Sequence, residues 1–135
     1  AADEESALSV WEKNKMKEKH QTSYADAVND VPKGFPAAMR AQKVGKRAAK
    51  SGFDFAGVED AAKKVTEELC EFRAAYASGD AVETEKELGD LLFAAVNVAR
   101  FVKVDPEDAL SIACDKFARR FRQVEAQTNS QSALR

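Results

Sequence analysis

Apolar positions recur at helical spacing along most of this chain, and no useful stretch alternates with the period of two that a half-buried strand needs. About residues 6–19 form a first helical pattern with Leu8 and Trp11 on one face, and residues 20–35 read as a loop. Pro36 suits the first turn of a second helix, because its missing N–H has no helical partner there. That helix runs to about Lys50 and stops at Ser51-Gly52. A third runs from about Val58 to Ala77, where Val65, Leu69, Phe72 and Tyr76 make one stripe at spacings of four, three and four. Ser78-Gly79-Asp80 breaks it. A fourth runs from about Ala81 to Val102, with Leu88, Leu91, Leu92, Ala95, Val96 and Ala99 expected inward. Asp105-Pro106-Glu107-Asp108 starts a fifth: a capping aspartate, proline at the first helical position, then acids against the positive end of the dipole. This helix is expected to run to about Ala126 and to bury Leu110, Ala113, Phe117, Phe121 and Val124, leaving a frayed polar tail over 127–135. Short loops between long amphipathic helices predict an all-α fold, an antiparallel bundle of about four to five helices. The expected core covers about residues 36–126 of a single domain, with a helix and loop over 6–35.

The 135 residues suit one domain, and 33% charged residues beside 44% hydrophobic ones give a soluble chain with a core. Twenty-one basic and 23 acidic residues leave a net charge of -2. That balance gives no footprint for nucleic-acid binding, which needs a basic excess. No run of about 18 apolar residues exists, so no membrane helix is expected. The N-terminus lacks the pattern of a signal peptide. Cys70 and Cys114 fall inside helical patterns and read as cytosolic thiols packed as small hydrophobes.

Two acid pairs change the picture. Glu68 and Glu71 lie three apart, as do Glu87 and Asp90, so each pair shares a helix face. If the chain turns at Gly79-Asp80 and the two helices run antiparallel, the four acids come level in two rungs, to within about 1.5 Å of rise. Four clustered carboxylates repel, and a divalent cation relieves the repulsion. An all-oxygen set favours Mg²⁺, with Mn²⁺ as a substitute, over Zn²⁺. A single histidine, His20, leaves little room for zinc chemistry or a Ser/His/Asp triad. The competing interpretation is a solvated helix face with i,i+4 ion pairs. Gly89, in mid-helix beside Asp90, suggests close packing or a nearby ligand, since glycine there costs about 1 kcal/mol relative to alanine.

Glu67-Glu68 with Glu71, then Glu87-Leu88-Gly89-Asp90-Leu91-Leu92-Phe93-Ala94 with Val96-Asn97 and Ala99-Arg100, resembles the MazG-type nucleoside triphosphate pyrophosphohydrolases. Arg40-Ala41-Gln42-Lys43 and Gly52-Phe53-Asp54-Phe55 before these motifs, and Asp105 to Leu110 and Lys116 to Arg122 after them, agree as well. The similarity spans about residues 8–125 and is greatest to the second, C-terminal domain of full-length MazG proteins. Lys86 stands where relatives often have another acid, and Phe55 where a tryptophan is common.

The resemblance implies a Mg²⁺-dependent enzyme that converts a nucleoside triphosphate to the monophosphate and pyrophosphate. It implies Glu68, Glu71, Glu87 and Asp90 as metal ligands and catalytic acids. Lys64 is expected as a phosphate contact, Lys116, Arg119 and Arg120 as the basic set facing the triphosphate, and Asn97 as a contact to the nucleotide or a ligand water. A homodimer or higher homo-oligomer, a cytoplasmic location and a role in nucleotide-pool house-cleaning are expected, with neither nucleic acid nor membrane as partner. The alternatives are a base-specific enzyme resembling dUTPases or dCTP pyrophosphatases, and an inactive helical dimerisation or regulatory module. Trp11, Phe53 and Phe55 read as packing residues.

Overall fold

The computed structural model describes residues 23–133, which form five helices and no strand. These are α1 (Tyr24–Asn29), α2 (Ala37–Ala49), α3 (Val58–Ser78), α4 (Ala81–Phe101) and α5 (Pro106–Ala133). The all-α expectation holds for these residues. The helix expected over 6–19, with Leu8 and Trp11, lies outside them, as does His20.

Two boundaries differ from the sequence reading. The expected loop over 20–35 contains α1, whose N-cap Ser23 accepts a hydrogen bond from the Asp26 N–H at 3.1 Å. Six residues are too few for a periodic signal, so only the cap could announce this helix. The tail expected to fray from residue 127 instead continues α5 to Ala133. Polarity does not stop a helix, and residues 127–133 contain no glycine or proline.

The α3–α4 hairpin is the principal packing unit. Gly79 closes α3 in the left-handed region, at φ 78°, and Asp80 caps α4 by accepting from the Val82 and Glu83 N–H groups. A two-residue connection forces the helices antiparallel. Ala61 on α3 and Ala94 on α4 are buried, and small side chains at such positions let neighbouring backbones approach closely. Helix α2 packs across α4 and carries α1 on its other contacts. Arg47 of α2 donates to the Ala27 carbonyl of α1 at 2.6 Å.

Helix α5 packs chiefly on α2. Glu107 Oε1 accepts from the Met39 N–H at 3.1 Å, so an α5 carboxylate satisfies an orphan donor in the first turn of α2. The expected burial of the α5 stripe does not occur within one chain. Leu110, Phe117, Phe121 and Val124 are 57–70% exposed, and Ala113 is exposed as well. Leu69 and Tyr76 of α3, and Leu88, Leu92 and Ala95 of α4, are exposed too. The physical reason is geometric: apolar residues on more than one face of a helix need more than one neighbour, and one chain supplies too few. Both cysteines are likewise exposed free thiols rather than packed ones.

Candidate metal and nucleotide site

The turn at Gly79-Asp80 sets the register that brings acids of α3 and α4 level. Glu68, Glu87 and Asp90 each place one carboxylate oxygen so that all three lie within 4.8 Å of one another. Octahedral Mg²⁺ holds its oxygens at about 2.1 Å, so opposite ligands stand about 4.2 Å apart. Oxygens no farther apart than 4.8 Å are within reach of such a shell after small rotations, and the donors are all oxygen. This trio therefore fits a hard divalent cation.

Glu71 stands outside the trio of converging oxygens but within its field. The Glu87 carboxyl has its pKa raised, first by loss of water and then by the charges of Asp90, Glu71, Glu68 and Glu83. The charges of the neighbouring acids on both helices thus bear on Glu87. A cation at the trio would reverse the sign of that field.

Lys64, one turn before Glu68, offsets part of the charge. Its ammonium lies 3.0 Å from Glu68 and 3.7 Å from Glu67. The hydrogen bond to Glu68 is the main reason its pKa is raised. Lys86 pairs with Glu83 at 3.5 Å.

A cleft of about 680 Å³ opens beside the acids. Lys64, Glu67, Glu68 and Asp90 line one part of it; Gly45, Phe53, Asp54, Phe55, Phe93, Asn97 and Arg100 line the rest. Asp54 and Arg100 form a bidentate pair with two contacts of 2.7 Å, tying the connector after α2 to α4. That hydrogen bonding to Arg100 is the main cause of the lowered Asp54 pKa. The guanidinium also lies over the Phe101 ring at 4.7 Å. Phe55 packs against Phe101 edge-on at 6.4 Å, as a packing residue should. Phe53, expected to pack, is 84% exposed at the cleft.

Of the expected substrate contacts, Lys64 and Asn97 line the cleft. Lys116, Arg119 and Arg120 do not line it; they lie on the exposed length of α5. Gly89 has open space where a Cβ would stand, so close packing does not account for it. Gly45 is the glycine under pressure: a Cβ there would meet Asn97 Oδ1 at 2.5 Å. The sequence carried a signal for it, a glycine inside an otherwise regular helix. Nothing in the sequence announced the Asp54–Arg100 pair, which joins residues 46 apart.

A family model described as the MazG nucleotide pyrophosphohydrolase domain matches residues 56–125, which hold α3, α4 and most of α5. The chain is 45% identical over 120 residues to the nucleoside triphosphate pyrophosphohydrolase of Escherichia coli K12, covering 87% of this chain and 46% of that protein. It is 38% identical over 115 residues to the nucleoside triphosphate pyrophosphohydrolase/pyrophosphatase MazG of Thermotoga maritima, covering 85% and 44%. It is also 46% identical over 124 residues to the uncharacterized protein YabN of Bacillus subtilis, covering 91% and 25%. The chain spans less than half the length of each of these curated relatives.

Proposed function

Because this chain belongs to the MazG nucleotide pyrophosphohydrolase family, we propose that it hydrolyses nucleoside triphosphates to the monophosphate and pyrophosphate with Mg²⁺. The observation that carries this reading is the convergence of Glu68, Glu87 and Asp90 at one end of a nucleotide-sized cleft. Glu68, Glu87 and Asp90 hold Mg²⁺, with Mn²⁺ as a substitute, and Glu71 completes the acidic set. Mg²⁺ when bound supplies charge neutralisation and polarisation of the phosphoryl group.

The chain's own side chains do the rest. Glu71 or Glu68 takes the proton from the attacking water, and the bond between the α- and β-phosphates breaks. Lys64 moves from its partner Glu68, 3.0 Å away, toward a phosphate oxygen; its own side chain is 42% exposed, which leaves it free to change partners. Asn97 contacts the nucleoside end.

A homodimer covers the apolar faces left open on α3, α4 and α5. Large exposed apolar surfaces mark association sites in soluble proteins. In that dimer Lys116, Arg119 and Arg120 approach the triphosphate from the second copy, since they do not reach the cleft of their own chain. No helix among the described residues is long and apolar enough to cross a membrane. Nucleotide-pool house-cleaning in the cytoplasm is the role this chemistry suits.

The test is Asp90→Asn. It removes one negative charge from the trio at nearly constant shape, and it should abolish pyrophosphate release while the far-ultraviolet circular dichroism stays helical. Full activity in that variant would remove the trio from the mechanism.

A further inference from the structure

The cleft has two chemically different ends. Asp90 and Asn97 both line it, and seven helical residues separate them by about 10 Å of rise along α4. The acids hold one end. Farther along α4 Asn97 offers a carboxamide, Phe55, packed on Phe101, offers apolar surface, and Phe53 also lines the cleft. A nucleotide whose phosphates lie at the acids extends its sugar and base toward that second end.

Asn97 is constrained there from two sides. Its Oδ1 lies where a Cβ on residue 45 would come within 2.5 Å, so only glycine leaves room for it. The same oxygen faces Arg100 Nη2 at 3.5 Å. Arg100 is itself fixed by both oxygens of Asp54 at 2.7 Å. A guanidinium donates and cannot accept, so it selects the oxygen of the carboxamide and turns Nδ2 the other way. Among the described residues Nδ2 has no hydrogen-bond partner. An asparagine in this state offers two N–H donors to the cleft.

We infer that Gly45, Asp54 and Arg100 are positioning residues that fix the Asn97 carboxamide so that its Nδ2 reads a hydrogen-bond acceptor on the nucleoside. This rests on the proposed nucleotide-binding reading and extends it to the choice among nucleosides. Arg100, already neutralised by Asp54, is not a phosphate ligand in this scheme. Sites built to donate to a substrate atom discriminate against analogues lacking it, because the donor is then left unpaired.

Gly45→Ala is the informative variant. The atom it strikes is the far end of a flexible side chain, so the helix tolerates the methyl group and gains propensity. The Asn97 carboxamide must move. Calorimetric titration of the full chain with Mg²⁺ and α,β-methylene triphosphate analogues of four different bases reads binding without turnover. The expected result is an unchanged or higher Tm, an at least tenfold weaker Kd for the preferred base, and a narrowed spread among bases. Asn97→Ala should produce the same loss, and the double variant no further one. Asp54→Asn should narrow the spread likewise, and it replaces Gly45→Ala if that variant does not fold. If Gly45→Ala, or Asp54→Asn in its stead, leaves every Kd and their order within twofold, the inference is overturned. Wild-type protein that binds with a base preference yet releases no pyrophosphate would defeat the proposed activity and leave this inference standing. Failure to bind any analogue would defeat both.

Discussion

Replacing Asp54 by alanine cuts the tie between the connector after α2 and helix α4. Asp54 and Arg100 meet through two contacts of 2.7 Å, and their side chains are only 26% and 21% exposed. Fully exposed ion pairs contribute about 0–1 kcal/mol. Breaking a fully buried pair costs about 3–5 kcal/mol. A bidentate pair that keeps a quarter of its surface in water falls between, at about 2 kcal/mol. The Phe101 ring still faces the guanidinium after the substitution, which limits the loss. For a chain of this length, about 2 kcal/mol lowers Tm by about 7 °C. Alanine also removes the acceptor for the Phe55 N–H, so the single variant overstates the pair. A double-mutant cycle with Arg100→Leu, read by urea denaturation, isolates the coupling, expected at about 1–2 kcal/mol. The pH dependence supplies a second reading. The folded-state pKa of Asp54 is lowered, so its stabilisation is present in full above the ordinary value of 3.8 and fades as pH falls through the lowered one. The gap between wild type and Asp54→Ala should therefore hold near neutral pH and shrink below about pH 3.8. A coupling under about 0.3 kcal/mol, or a gap that widens in acid, would refute the reasoning.

Other perturbations probe other parts of the account. Lys103 ends α4 at φ 57°, a conformation that costs a side-chain-bearing residue free energy, so Lys103→Gly should raise stability by about 0.5–1 kcal/mol in chemical denaturation. Phe121→Glu places a charge in the exposed α5 stripe and should convert a dimer to a monomer in light scattering; an unchanged mass would separate that stripe from the interface. Arg120→Ala should raise KM or lower kcat at least tenfold, and unchanged kinetics would remove Arg120 from the triphosphate site. Mg²⁺ at 100 times its dissociation constant should stabilise the protein by about 2.7 kcal/mol, a shift that Asp90→Asn abolishes in thermal denaturation.

The parts of this molecule that the sequence made legible are those written in local chemistry. The break at Gly79-Asp80, the aspartate cap at residue 105 and the three-residue acid spacings are short-range signals, and each is where it was expected; that Asp80 also caps α4 is seen only in the structure. Register follows from the turn, so the level of the four acids could be counted out in advance, but not which carboxylates converge: Glu68, Glu87 and Asp90 do, and Glu71 stands outside them. What escaped depends on contacts between distant segments. The rule that a mid-helix glycine marks a close approach was sound, but it pointed to Gly89, and the crowding is at Gly45. Only the crossing of α2 over α4 reveals which. The apolar stripe of α5 was legible as a stripe, yet periodicity does not say what covers it. Within one chain it stays open, and so do Phe53 and both cysteines.

The central claim is metal-dependent cleavage between the α- and β-phosphates. Its most direct test is product identification after incubating the protein with a panel of ribo- and deoxyribonucleoside triphosphates, in Mg²⁺ and then in excess EDTA. The account predicts pyrophosphate and monophosphate in equal amounts with Mg²⁺ and neither with EDTA. Orthophosphate and diphosphate as the products, or pyrophosphate release undiminished by EDTA, would contradict it.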